Sequence, residues 1–289
     1  MMIDEYPVRI AGRVVKRASL ENEWLNWLPE PGRFIEKLAR AGSGADYFTF
    51  RQKVGETEPR FSYPMEWESL AVIPVAGYEN WLRHQINNGA KRAIKKAAGK
   101  GVEVRVVSLD DEFVAGVTGI INETPVRQGR PYMHYGKSAE DMKAEFSREK
   151  GRCTMIGAYL KEELIGFIQL GHGEGWVVPF GMVSMIRHRD KSPQNALLAK
   201  AVEFCAEKGI RYLLYGTWSA GGLGEFKRNN GCVEMKVPRY YAPLSMVGRI
   251  ACRFKLYRGV SGILPVGMVE HAQGLRKRWY SLKFGMAKE

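Results

Sequence analysis

A mixed α/β (α+β) fold, a largely antiparallel sheet with helices on both faces, is predicted by three features of this chain. First, residues 102–241 alternate between strand-like and helical periodicity, in the order strand, two helices, three strands, helix, strand, helix, strand. Second, the three central strands are expected to pair antiparallel, and helices that each carry an apolar stripe must bury it on such a sheet. Third, residues 192–241 read loop, amphipathic helix, buried strand, short helix, last strand. Apolar and charged residues, 45% and 26% of the 289, stand in the ordinary proportion for a globular chain.

Up to about residue 50 the chain is rich in Trp, Pro and Gly (Trp24, Trp27, Pro29, Pro31, Gly32), and 34–38 reads as a short helix. Residues 47–50 (Tyr-Phe-Thr-Phe) and 71–75 (Ala-Val-Ile-Pro-Val) are strand-like, with a turn at 55–59 between them. A helix is expected over 78–99, where Trp81, Leu82, Ile86, Ala90, Ala93 and Ile94 recur at helical spacing and Gly99 is a natural stop. Arg83, Lys91, Arg92, Lys95 and Lys96 decorate it, and no acidic residue occurs from 80 to 102. Residues 102–107 alternate as a strand should. Asp110-Asp111 then opens a helix carrying Phe113, Val117 and Ile121, as acidic residues favour a helix N-terminus. A polar loop at 123–130 and a second helix at about 138–149 follow. Residues 153–159 and 163–170 form a hairpin across Lys161-Glu162, and 175–185 is a third strand. A helix over 196–208 is closed by Gly209 and leads to a buried strand at 211–215.

Three regions result: 1–100, ending in the basic helix; 101–241, the alternating region; and 242–289, a basic helical extension. The last carries Arg249, Arg253, Lys255, Arg258, Arg276, Lys277, Arg278 and Lys283, with Trp279, Tyr280, Leu282 and Phe284 interleaved among the last of these.

The net charge of +13 is the unusual bulk property. It points to an anionic partner, such as nucleic acid, a phosphate-bearing ligand or an anionic membrane surface, or else to a plain solvated lysine surface. No apolar run approaches the ~20 residues that span a bilayer, and the N-terminus lacks a basic segment followed by an apolar one. The four cysteines are scattered and the five histidines show no ligand spacing, so neither a disulfide frame nor a metal is expected. The expected location is the cytoplasm, or the inner face of the membrane if the basic extension lies on anionic lipid.

Residues 102–241 resemble, in element order, the GNAT acyltransferase superfamily. Three places make the likeness strongest to its FemAB-type branch: Arg92-Ala93-Ile94-Lys95-Lys96-Ala97 running into Gly101-Val102-Glu103-Val104; Ser192-Pro193 leading to Ala206-Glu207-Lys208-Gly209; and Tyr215-Gly216 followed by Gly224-Glu225-Phe226-Lys227-Arg228 and Gly231. The resemblance implies a GNAT-like sheet, with 1–100 a shortened remnant of the first of two such halves. It implies acyl or aminoacyl transfer to an amine of a cell-envelope precursor, such as that of peptidoglycan, or of a glycan precursor. The donor implied is aminoacyl-tRNA by the branch, or acyl-CoA by the superfamily. An acetyl-CoA-dependent N-acetyltransferase acting on a small amine or amino sugar, and a catalytically silent domain that binds RNA or a membrane surface, are the alternatives. The usual GNAT pyrophosphate loop is glycine-rich, whereas 187–195 here reads Arg-His-Arg-Asp-Lys-Ser-Pro-Gln-Asn without glycine. FemAB-type proteins lack that loop too, so the departure favours them.

Transfer to an amine needs a base, oxyanion donors and a proton for the leaving group. Glu123, after the helix that follows the first strand, is the best candidate base, or a helix-end carboxylate facing water. Tyr215 at a strand end is a general acid or a packed ring. Lys227, in the Phe-Lys pair, neutralises an anion or is a solvated helix lysine. Arg187, Arg189, Lys191, Ser192 (as N-cap) and Asn195 are the expected donor-binding residues at a helix start. Arg127, Tyr132 and Tyr135, with the nearby His134, are expected to line the acceptor side. His172 is a further candidate there, more often a structural residue than a base.

Overall fold

The structure, a computed structural model, describes residues 1–127, 129–149 and 151–258. Its strands are β1 (Met2–Ile3), β2 (Tyr6–Ala11), β3 (Arg17–Leu20), β4 (Tyr47–Arg51), β5 (Met65–Pro74), β6 (Val102–Val107), β7 (Val126–Arg127), β8 (Arg130–Pro131), β9 (Cys153–Leu160), β10 (Glu163–His172), β11 (Trp176–Ser184), β12 (Tyr212–Thr217) and β13 (Val233–Pro243). Its helices are α1 (Pro31–Arg40), α2 (Tyr78–Asn80), α3 (Asn88–Gly99), α4 (Asp111–Ile121), α5 (Ala139–Ser147), α6 (Pro193–Glu207), α7 (Gly221–Asn229) and α8 (Met246–Arg253).

Eleven of these strands form one sheet in the order β1-β2-β3-β4-β13-β5-β12-β11-β10-β9-β6. Only β3·β4 and β11·β12 pair parallel; every other pair in it is antiparallel. Alternation along β9 shows how two faces are filled. Ile156 and Ala158 join the cluster under α3 and α6, while Met155 and Tyr159 point to the opposite cluster under α4 and α5. Helices therefore cover both faces, as expected. The stretches 1–100 and 101–241 share this sheet, because β13 lies between β4 and β5.

Three expectations are corrected. The helix expected over 78–99 is broken. After α2 the chain makes one π-helical turn at Trp81–Gln85, Ile86 is extended, and Asn87 caps α3 by accepting from Ala90 N at 2.8 Å. The break buries Trp81 completely and lets its Nε1 donate to Asn230 O at 3.0 Å; a straight helix would spread those apolar positions along one line. Strands β1, β2 and β3 were not anticipated, because short runs such as Tyr-Pro-Val-Arg-Ile-Ala carry little pattern of their own and take their order from β4. The polar loop at 123–130 holds the small β7·β8 hairpin. Of the basic extension, α8 lies within the described residues; Arg276, Lys277, Arg278, Trp279, Tyr280, Leu282, Lys283 and Phe284 lie outside them. Among the described residues no helix is long and apolar enough to cross a membrane, and no group of three or more His, Cys, Asp and Glu could hold a metal ion.

Candidate active site

The parallel pair β11·β12 holds only two registered positions, Trp176 with Tyr212 and Val177 with Leu213. Beyond them β11 stays with β10 as far as Ser184, while β12 turns away along β5 through a register shift at Gly216 (φ +77°). Pro179, which has no N–H to give, stands where the strands part. The wedge between them is a cleft of about 1090 Å³, just above the roughly 300–1,000 Å³ usual for small-ligand sites.

Tyr215, within β12 at its register shift, lines this wedge. Its hydroxyl faces the weak acceptor Met182 Sδ at 3.9 Å, and burial pushes its pKa up, so the phenol stays neutral. Behind the ring lies Lys227, itself buried, with Nζ 5.5 Å from the Tyr215 ring centroid and donating to Thr217 O at 2.6 Å. Burial pulls the Lys227 pKa down. Lys227 does not line the cleft; its contact with the cleft wall is the one with the Tyr215 ring. The Phe-Lys pair thus divides: Phe226 lines the cleft, and Lys227 supports it from within α7.

Two helix starts open into the wedge. Ala220, Gly221, Gly222 and Leu223 bring the N-terminus of α7, which no side chain caps, and Gln194 brings that of α6. Gly224 lets α7 close down on the preceding loop, since a Cβ there would lie 1.9 Å from Ser219 O. Arg130 and Arg189 stand at the wall, and no Asp or Glu is among the described lining residues. Exposed N–H groups, the positive ends of two helices and two guanidinium groups make this a place for an anion.

The expected donor-binding residues separate. Arg189 lines the cleft, but Arg187 pairs with Glu163 and Lys191 with Asp190. Ser192 takes the N-cap position at φ +55°, outside the extended region that aims a cap at the first N–H groups, and makes no capping bond. Asn195 Nδ2 donates to Asn230 Oδ1 at 3.1 Å and so ties α6 to the end of α7. The basic face of α3 packs beside the 3₁₀ segment Ile186–Lys191, and Lys96 helps to hold the Asp190 carboxyl below its ordinary value, after Lys191 itself.

The acceptor-side candidates do not converge on the wedge. Glu123 accepts from Ile186 N (2.7 Å) and Arg187 N (3.1 Å) and pairs with Arg127 Nη2 at 3.3 Å. Both its oxygens are thereby occupied, which gives it the task of holding the 3₁₀ segment instead of the base role expected of it. Arg127 completes the latch through Ser184 O and Ile120 O. Removing these acceptors by Glu123→Ala is expected to cost about 1–3 kcal/mol of stability, read by denaturant unfolding. Lost turnover with unchanged stability would restore the base role. Tyr132 packs over Arg127 and against His134, and Tyr135 is exposed. His172 lies in a separate small pocket with Tyr6, Trp27 and Arg152, its Nε2 2.9 Å from Thr154 Oγ1, and burial lowers its pKa.

Residues that the sequence did not single out complete the site. Trp24 reaches the wedge from the N-terminal stretch, held by Trp176 Nε1 donating to its carbonyl at 2.8 Å. Asn230, almost wholly buried, links Trp81, Asn195 and Phe226. The Asn-Gly turn after the Phe-Lys pair was the one signal in the sequence that could have marked Asn230.

No protein-family model matches this chain, and no curated protein sequence does. Solved structures do. The chain is similar to FemX, with a TM-score of 0.62 at 9% identity over 86% of either chain. The fold of this chain is the one seen in FemX. L-PGS from Bacillus licheniformis is similar at a TM-score of 0.57 and 14% identity, over 86% of this chain and 85% of that one. So is the C-terminal domain of a protein from Agrobacterium fabrum described as a lysylphosphatidylglycerol synthetase, at 0.55 and 13%, over 90% and 87%.

Proposed function

We propose that the wedge transfers an acyl or aminoacyl group from an anionic donor to an amine of a cell-envelope or glycan precursor, with aminoacyl-tRNA as the donor. The observation that carries this reading is the neutral Tyr215 hydroxyl at the floor of a cleft ringed by two arginines and two helix starts. The amine attacks the ester carbonyl, the C–N bond forms, and charge develops on the carbonyl oxygen. A phenol held neutral by burial donates a hydrogen bond to that oxygen. When the C–O bond breaks, the proton lost by the nitrogen goes to the departing ribose oxygen, because no carboxylate or imidazole is among the described cleft residues. Lys227 keeps Tyr215 in place and adds positive potential below it.

The name of the similar Agrobacterium fabrum protein, a lysylphosphatidylglycerol synthetase, supports an envelope-directed acceptor. The glycine-free stretch 187–195 and the basic face of α3 beside it support a nucleic acid donor over acyl-CoA. The test follows loss of label from bulk aminoacyl-tRNA, and in parallel from acetyl-CoA, with amine-bearing envelope precursors as acceptors. Label should pass from the tRNA only. Transfer from acetyl-CoA would establish the acetyltransferase reading, and salt-sensitive tRNA binding without transfer would establish the silent binder.

A further inference from the structure

The helix α8 presents an apolar stripe to the outside. Met246, Ile250 and Phe254 recur at every fourth position and are 66%, 52% and 67% exposed, with Val247 and Leu256 beside them also exposed. The opposite side buries Gly248, Ala251 and Cys252. This orientation is rigid. Ser245 Oγ donates to Asp46 Oδ1 at 2.8 Å and accepts from Gly248 N at 3.0 Å, while a Cβ on Gly248 would sit 1.7 Å from Asp46 O. The helix is thus pressed backbone to backbone on the body of the protein and cannot roll its apolar stripe inward.

Charge identifies the occupant. Arg249, Arg253 and Lys255 are exposed beside the stripe, and no Asp or Glu occurs anywhere from 235 to 269. A second copy packed across a two-fold axis would bring these cations against their own images. A nucleic acid backbone would satisfy the cations and leave the apolar side chains in water. Apolar residues flanked by cations on one helix face match the boundary of an anionic bilayer, where the stripe enters the acyl region by about 5–10 Å and the guanidinium groups stay with the headgroups. We propose that α8 seats the protein on a membrane surface containing anionic phospholipid. The inference does not depend on the acyl-transfer reading, since binding requires neither donor nor turnover.

The test is co-sedimentation of the full chain with phosphatidylcholine vesicles, with and without phosphatidylglycerol. Partition should require the anionic lipid and weaken with salt. Ile250→Glu with Phe254→Glu should lower it at least tenfold, and Arg249→Gln or Arg253→Gln by roughly fivefold each. An unchanged melting temperature of each variant controls for folding, as these side chains are exposed. Three results would overturn the proposal: α8 variants that bind as the parent does; loss of binding only when Arg276, Lys277 and Arg278 are replaced; or a solution dimer that Ile250→Glu dissociates.

Discussion

Tyr215→Phe is expected to lower kcat for acyl transfer by roughly a hundredfold or more, the usual effect of removing one oxyanion donor, with little change in melting temperature. The reasoning is local. The ring remains to pack on Phe226 and against Lys227, and the hydroxyl that disappears gives up only a weak contact with Met182 Sδ. Stability and chemistry therefore separate at this atom. Lys227→Met should behave differently, because the ammonium is buried and donates to Thr217 O. Its loss leaves that carbonyl without this donor and loosens the turn before α7, so turnover and melting temperature should fall together. Steady-state kinetics paired with thermal unfolding of both variants checks this. A Tyr215→Phe enzyme with parental kcat would remove the phenol from the mechanism, and with it the proposed chemistry of the wedge.

Glu68→Ala is expected to destabilise the protein by about 3–5 kcal/mol. Glu68 accepts from Arg51 Nε at 2.8 Å and Arg239 Nε at 3.0 Å, and Glu23 closes the network with two bonds to Arg239. Arg51 is buried, with its guanidinium 4.3 Å from the Trp24 ring centroid. Deleting Glu68 leaves that guanidinium without its counter-charge in a site water hardly reaches. Burial pushes the Glu68 pKa up, but Arg51 and Arg239 outweigh it, and the folded-state pKa lies below the ordinary value of 4.5. A carboxyl with a depressed folded pKa contributes stability in full above its unfolded pKa and loses it as pH falls through the folded one. The parent should therefore lose stability below about pH 4.5, and Glu68→Ala should flatten that part of the profile. Urea unfolding at a series of pH values measures both effects. Because Arg51 stacks on Trp24, which walls the cleft, the variant should also bind donor less tightly.

The order of elements over 102–241 was legible because each carries its own period. Residues 153–159 and 163–170 alternate toward two cores, and the helix after Ser192-Pro193 repeats apolar residues every third or fourth place. The placing of Tyr215 in the strand before the short helix, and of Lys227 in that helix, followed from that order, although the strand expected to end at 215 runs on to Thr217. What local pattern could not supply was direction at points where long-range packing decides. Glu123 reads as a free carboxylate at a helix end, yet two N–H groups more than sixty residues further along the chain claim it. His172 reads as a candidate for the site, yet β10 carries it past the wedge to another pocket. The helix over 78–99 has continuous periodicity, yet burial of Trp81 against Asn230 is best served by breaking it.

By itself, then, the sequence determined the alternating sheet with helices on both faces, the excess of positive charge and the Phe-Lys pair after a strand-borne tyrosine. Those are properties of short windows, where hydrophobic period, turn chemistry and charge act between neighbours. The tertiary structure alone decided that β13 inserts between β4 and β5, that β11 and β12 part after two residues to open a cleft, and that Trp24 from the N-terminal stretch walls it. These depend on contacts between residues far apart in the chain, whose energies appear only once distant surfaces meet and exclude water together.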